Sequence, residues 1–166
     1  MKNFKIVFFL AALAGLLFAT QTKAQALSPA FLAKKTVVLK FDATGGKATG
    51  THNLTTLAGK AFTLPDNARV TRAYYEVQTT FTSSTDTATM SLGIPTDDAA
   101  GIKAAISIDG SGDPWDAGIY ECIQTGTAAT MSEKTTNRFR TIDLILTLEA
   151  LTAGKFVLVL EYVVLE

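Results

Sequence analysis

The stretch that decides the fold is Phe156-Val-Leu-Val-Leu-Glu-Tyr-Val-Val-Leu165, near the end of the chain. Apolar residues, many of them β-branched or aromatic, occupy both of its alternating faces, which is typical of a strand that is covered on both sides. The segment before it, Arg140-Thr-Ile-Asp-Leu-Ile-Leu-Thr-Leu-Glu149, alternates more cleanly and puts its aliphatic residues on one face. We expect these two strands to form a hairpin across the turn at 150–155, in the middle of a β-sandwich or of an assembly.

A second hairpin is predicted earlier in the chain. Ala68–Thr82 has a better core face made of Thr71, Ala73, Tyr75, Val77, Thr79 and Phe81. The polar turn Ser83–Asp86 follows, and Thr87–Ile94 then points Ala88, Met90, Leu92 and Ile94 inward. Residues 96–103 predict one short helix, because an N-cap-like Thr96 precedes two acidic residues and Gly101 can close the turn.

The whole pattern is that of an all-β protein. Turn signals recur along the chain between about eight candidate strands, as in a single antiparallel β-sandwich, jelly-roll-like in topology. The 23 threonines between Leu27 and Glu166 favour half-exposed strands over helices. We therefore expect one β-sandwich domain over residues 27–166, with no linker dividing it.

The first 26 residues have the organisation of a signal peptide. Lys2 and Lys5 form a basic n-region, an apolar run of 14 residues covers 6–19, and Ala24-Gln-Ala26 supplies small residues for cleavage. A bilayer span needs about 20 residues, so cleavage after Ala26 is the main expectation and an N-terminal membrane anchor the alternative. The predicted location is secreted, periplasmic or at the cell surface.

Charge and cysteine content exclude several kinds of partner. Without residues 1–26 the chain carries 12 basic and 15 acidic residues, and the basic residues are scattered along it. Nucleic acid is therefore not a predicted partner, and neither is a membrane once the signal peptide has been cleaved. Cys122 is the only cysteine, which leaves a buried thiol, the favoured reading, or an intermolecular bridge.

No pattern of catalytic, cofactor-binding or metal-ligating residues is found, so no enzyme and no cofactor are predicted. The lone His52 lacks the partners that a metal site or a general base needs and is expected at the surface or at a strand edge. Asp109-Gly-Ser-Gly-Asp113 spaces its oxygens as calcium loops do, but Pro114 stands where that loop needs glycine and Tyr120 where it needs glutamate. A surface turn is the better interpretation.

One loop is a candidate ligand site. Trp115 is the only tryptophan, and it lies in the 109–118 loop beside Asp113 and Asp116, with Tyr120 just beyond. An exposed Trp115 would make an aromatic platform for a ligand such as a carbohydrate. The competing reading, which we favour, is that Trp115 fills one end of the core.

Several segments resemble small, mostly uncharacterised phage-encoded virion proteins. They are Ala73–Ile94, Asp97–Ile106, Pro114–Gly118, Gly126–Ala129, Lys134–Thr136 and Leu148–Val164, and together they cover roughly Gly50 to Glu166. The resemblance implies a structural or surface β-domain and carries over no catalytic residues. Because phage capsid parts are normally assembled in the cytoplasm without a signal peptide, residues 1–26 imply an exported relative or one carried in or on a membrane.

Two functional hypotheses follow. The first is an exported, non-enzymatic structural protein that works through its surface, as a homo-oligomer or with an assembly partner. The second is a secreted ligand-binding β-sandwich module, centred on Trp115 and the 109–118 loop.

Overall fold

A computed structural model describes residues 33–95, 98–109, 112–122 and 140–164. These residues form nine strands: β1 (Lys35–Asp42), β2 (Gly50–Asn53), β3 (Thr55–Thr56), β4 (Ala68–Ser83), β5 (Thr89–Ile94), β6 (Asp98–Ser107), β7 (Gly118–Glu121), β8 (Asp143–Thr147) and β9 (Leu151–Val164). Every pairing between them is antiparallel. The all-β prediction is confirmed.

The strands form two sheets with jelly-roll topology. One sheet has the order β3-β1-β9-β4-β7 and the other the order β2-β8-β5-β6. Apart from the short β3, the first half of the chain pairs with the second half like one long hairpin: β1 with β9, β2 with β8, β4 with β7, and β5 with β6. The pairs β4–β9 and β5–β8 then join the two arms within each sheet. Such a folded ribbon shared by two sheets is a jelly roll, as predicted.

The inner faces of both sheets meet in one hydrophobic cluster. The inward side chains of β9, β5 and β8 have essentially no exposed surface, among them Phe156, Leu158, Leu160, Met90, Leu92, Leu144 and Leu146. The inward residues predicted for Thr87–Ile94 are all buried. The strongly apolar C-terminal strand is thus a middle strand, flanked by β1 and β4.

A β-bulge in β4 changes which side chains face the core. Val70 is opposite Tyr162 and Arg72 is opposite Glu161, so Thr71 is an extra residue on its strand. Ala73, Tyr75, Val77 and Phe81 are buried as predicted. Thr71 and Thr79, which the strict alternation placed with them, are exposed because the register shifts at both places.

The two predicted hairpins are wrong. β4 lies in the five-stranded sheet and β5 in the four-stranded sheet, and β8 and β9 are divided in the same way. Ser83–Asp86 and the segment after β8 are therefore corners at which the chain passes from one sheet to the other. The predicted turn at 150–155 is also shorter than expected, because β9 already begins at Leu151.

The predicted helix at 96–103 is wrong as well. Residues from Asp98 to Ser107 form strand β6, which pairs with β5 from Ile94↔Asp98 to Thr89↔Ser107. The strand pairing gives β5 a hydrogen-bonded partner on its second edge and buries Ile102 completely. This tertiary pairing outweighs the local capping signal, whose residues Thr96 and Asp97 lie outside the described part.

Several predictions fall on other residues outside the described part. They are the signal peptide over 1–26 and the virion-like segments Gly126–Ala129 and Lys134–Thr136. The described ranges contain no helix that is long and apolar enough to cross a membrane.

Candidate functional site

Trp115 lies inside the core. Its side chain has no exposed surface, and its ring centroid is 5.3 Å from that of Tyr75, 6.0 Å from that of Phe81 and 6.3 Å from that of Phe156. The Tyr75 hydroxyl donates to the carbonyl oxygen of Pro114 at 2.8 Å, and the Phe81 N–H donates to the carbonyl oxygen of Trp115 at 3.1 Å. Trp115 therefore fills one end of the core and presents no ring face to a ligand.

The other three predicted ligand-site residues support the same loop. Asp113 accepts a hydrogen bond from the backbone N–H of Trp115 at 2.6 Å, and Asp116 accepts one from the backbone N–H of Gly112 at 2.7 Å. Tyr120 is half-buried and stacks on Tyr75 at 5.5 Å, and burial raises the pKa of its hydroxyl, with smaller contributions from Asp116 and Asp113. The structure thus accounts for these side chains by folding, and ligand binding by this loop stays a prediction.

Carboxylates also gather around a shallow cleft next to that loop. The cleft has a volume of about 340 Å³ and is lined by Asp86, Asp109 and Asp116, together with Thr80 and Thr82. Among the residues that the structure describes, no group of three or more His, Cys, Asp or Glu side chains is close enough to hold a metal ion.

His52 lies on the edge strand β2, at the position predicted for it. Its Nε2 is 2.8 Å from the carbonyl oxygen of Ala48, which can only accept a hydrogen bond. On the neighbouring strand, burial raises the pKa of Asp143, while a hydrogen bond from Thr141 and the nearby His52 oppose the rise. With its amide nitrogen turned towards Asp143, Asn53 donates to both carboxylate oxygens, at 3.2 and 3.3 Å. The contact between Asn53 and Asp143 ties β2 to β8, beside a cleft of about 530 Å³ that His52 and Asn53 help to line.

Glu149 ties together the two corners between the sheets. Its carboxylate accepts hydrogen bonds from the hydroxyls of Ser83, Thr85 and Thr87 and from the backbone N–H groups of Thr85 and Thr87. These bonds, the one from Ser83 first, lower the pKa of Glu149 to about 2. Because its oxygens are already used, this carboxylate is a structural group of the fold.

One surface that the described structure leaves without a cover is the outer face of the five-stranded sheet. We use this name for the outward side chains of its four longer strands, which are Val38 and Lys40 on β1, Val157 and Val159 on β9, Tyr74 and Glu76 on β4, and Ile119 and Glu121 on β7. Val38, Tyr74, Val157 and Val159 are half-exposed and Ile119 is 74% exposed. The apolar outer face of β9 is thus visible in the sequence. Its neighbours Tyr74 and Ile119 are not, because strand order is needed to place them there.

Charged side chains frame this apolar centre. Arg72 pairs with Glu121 at 2.7 Å and lies over the ring of Tyr74, 5.4 Å from its centroid. Lys34 pairs with Glu161 at 3.0 Å, and Lys155 approaches Asp42 at 3.9 Å. An apolar centre with a polar rim is the anatomy of many protein–protein interfaces.

Comparison with known proteins gives matches of structure. No family model matches the chain, and neither does any curated protein. A chain of the cyanophage Pam1 capsid asymmetric unit has a TM-score of 0.56 at 15% identity, with 80% of this chain and 86% of that chain covered. A chain of the capsid of Ralstonia phage GP4 has a TM-score of 0.55 at 18% identity, with 80% and 84% covered. A chain of the acidic stable capsid structure of Helicobacter pylori bacteriophage KHP30 has a TM-score of 0.51 at 15% identity, with 81% and 90% covered. At these identities the likeness shows that this chain shares their fold.

Proposed function

We propose that the protein is a non-enzymatic structural subunit of a multi-copy assembly, of the kind that builds phage virions. The observation that carries the proposal is the outer face of the five-stranded sheet. Its middle strand β9 is buried on one side and carries half-exposed Val157 and Val159 on the other. Contiguous apolar surface with a charged rim marks interaction sites in folded proteins.

The fold gives independent support. The three phage structures with the same fold are all described as capsid structures, and this chain covers most of each matched chain. The sequence segments from Ala73 onward resemble virion proteins too.

The chemistry of the described residues also favours a structural role. The carboxylates of Glu149, Asp113 and Asp116 accept hydrogen bonds from the backbone of neighbouring turns. Burial raises the pKa of the Cys122 thiol to about 12, so that it is protonated and a poor nucleophile at neutral pH. These four side chains are therefore occupied by folding.

We further propose that residues 1–26 direct export and are removed, so that assembly takes place outside the cytoplasm. N-terminal sequencing of the exported protein tests this part by itself. A chain beginning at Leu27 is expected, and an intact Met1 end in the exported fraction would contradict cleavage.

Light scattering on residues 27–166 tests the proposed assembly. We expect a mass above that of one chain, rising with concentration across the micromolar range. A strict monomer over that whole range would contradict the proposal.

A further inference from the structure

The strand register arranges the outer face in rows that run across the sheet. One row reads Lys40, Val157 and Glu76 on β1, β9 and β4, and the adjacent row reads Val38, Val159 and Tyr74 on the same three strands. Each row thus has a valine of β9 at its centre. Its two flanking residues lie on opposite sides of β9, about 10 Å apart at the backbone, since strands are about 4.8 Å apart.

The two charges of the first row do not pair with each other within the protomer. Three ion pairs join other charges around this face, namely Lys34–Glu161, Arg72–Glu121 and Lys155–Asp42. In the part of the chain that the structure describes, no ion pair includes Lys40 or Glu76. Opposite charges are therefore held at equal distances on the two sides of an apolar centre.

We propose that this face binds a second copy of the same chain, face to face, about a two-fold axis that runs along β9. The inference rests on the proposed assembly function and names its interface. Such an axis keeps the rows in step and exchanges the two sides of the sheet. Lys40 of one protomer then faces Glu76 of the other, Val38 faces Tyr74, and Val157 and Val159 face their own copies. Each contact occurs twice, as in every isologous interface.

A two-fold axis across the strands fits less well. It would lay β1 on β1 and β4 on β4, so that the Lys40 sides of the two faces would meet. It would also put the charged row of one protomer against the apolar row of the other, which desolvates Lys40 and Glu76 without a partner. The axis along β9 instead gives both charges a partner.

The size of the face agrees with a dimer interface. β9 has 14 residues and is therefore about 46 Å long. The four strands β1, β9, β4 and β7 have 8, 14, 16 and 4 residues, so at about 3.3 Å per residue and 4.8 Å per strand the face offers roughly 670 Å². A standard-size interface buries about 600–1,000 Å² per partner. The contact therefore needs most of the face and not the valines alone.

Charge exchange tests the proposal. Lys40→Glu puts two like-charge contacts into the interface, and Glu76→Lys does the same, so each single variant is expected to dimerise at least about tenfold more weakly in sedimentation equilibrium. The double variant K40E/E76K restores opposite charges across the axis and is expected to return to within about threefold of the original affinity.

Lys60→Glu is the matched control. It makes the same change in net charge as Lys40→Glu, at an exposed turn beyond the β3 edge of the sheet and outside the residues that define this face, and it is expected to leave dimerisation unchanged. Circular dichroism checks that all four variants are folded.

The outcomes separate this inference from the proposed function. An original chain that is monomeric throughout contradicts both. An original chain that associates equally well with Lys40→Glu or Glu76→Lys overturns this interface and leaves the assembly function standing. Weakening by both single variants without recovery in the double variant overturns the pairing across the axis.

Discussion

Replacing Gly154 with alanine probes how closely β9 and β4 pack against each other where their pairing in the five-stranded sheet becomes irregular. Gly154 is a buried residue of β9 with a φ of +134°, a conformation that residues with a side chain rarely adopt. A Cβ atom built there would lie 2.0, 2.4 and 2.5 Å from three ring atoms of Phe81. Nonbonded carbon atoms normally stay about 3.5–4.0 Å apart, so the ring would have to move by more than 1 Å, on the order of a covalent bond length.

The ring has no room for that movement. Phe81 is 3% exposed, and its centroid is about 6 Å from those of Phe41, Trp115 and Phe156. Overpacking of a core costs about 1–3 kcal/mol, and the left-handed backbone adds about 1–2 kcal/mol for a residue other than glycine. We therefore expect Gly154→Ala to lower the free energy of unfolding by about 2–5 kcal/mol.

Equilibrium unfolding in urea measures this cost, and two comparisons isolate its cause. Gly59→Ala, at a φ of +76° with no atom within 4 Å, is expected to lose the backbone part alone, about 1–2 kcal/mol. In a Phe81→Leu background, the additional cost of Gly154→Ala is expected to fall by about 1–3 kcal/mol. Equal costs for Gly154→Ala and Gly59→Ala would refute the close contact between Gly154 and Phe81.

Three further predictions concern the corners and the cysteine. Ser83, Thr85 and Thr87 lower the folded-state pKa of Glu149 to about 2 from its ordinary 4.5, so the stabilising contribution of this carboxylate is present above pH 4.5 and is lost as the pH falls towards 2. Glu149→Gln should therefore flatten the loss of thermal stability between pH 4.5 and pH 2. An unchanged dependence of thermal stability on acid pH would count against this role of the carboxylate. Leu148 is 80% exposed and has a φ of +68°, a strained conformation for a residue other than glycine. Leu148→Gly should raise the free energy of unfolding, measured in urea, by roughly 0.5–1 kcal/mol, because relief of the backbone strain exceeds the entropy cost of glycine. A loss of stability would contradict the inferred strain. Burial raises the pKa of Cys122 to about 12, so alkylation by iodoacetamide at pH 8 should be at least about tenfold slower in the folded protein than in urea, and equal rates would show an accessible thiol.

The sequence allows the strands and their inward faces to be predicted, but not their partners. Alternation of apolar residues identifies β4, β5 and β9 and most of their buried side chains, because it reflects a local geometry of period two. A polar turn such as Ser83–Asp86 looks the same whether the chain turns back within a sheet or crosses to the other sheet. The deciding contacts, such as those of Glu149 with Thr85 and Thr87, join residues more than 60 positions apart.

The errors in detail have equally physical causes. The capping signal before Asp98 is local, whereas the pairing of β6 with β5 depends on the whole four-stranded sheet. The bulge at Thr71 inserts one residue into β4, so that the residues before it and the residues after it no longer follow one alternation of inward and outward side chains. A prediction from regular alternation cannot show this change.

The candidate surface is visible in the sequence only in part. Val157 and Val159 on the second face of β9 indicate an apolar strand that needs a cover on both sides. The pairing of Lys40 and Glu76 with Val157, which makes the face self-complementary, requires the strand order β1-β9-β4. The loop around Trp115 looks like a ligand site in the sequence, but in the structure its tryptophan ring is buried by packing on Tyr75 and Phe156.

The most direct test of the central claim, that the outer face of the five-stranded sheet is covered in the assembly, is the labelling of a thiol placed in its middle. In Val159→Cys, the rate of alkylation at position 159 should fall as the protein concentration rises through the range in which light scattering shows association. The same thiol introduced as Lys60→Cys, at an exposed turn, should react at a constant rate. A labelling rate at position 159 that does not change while the protein associates would contradict the claim, because the contact would then lie on another surface.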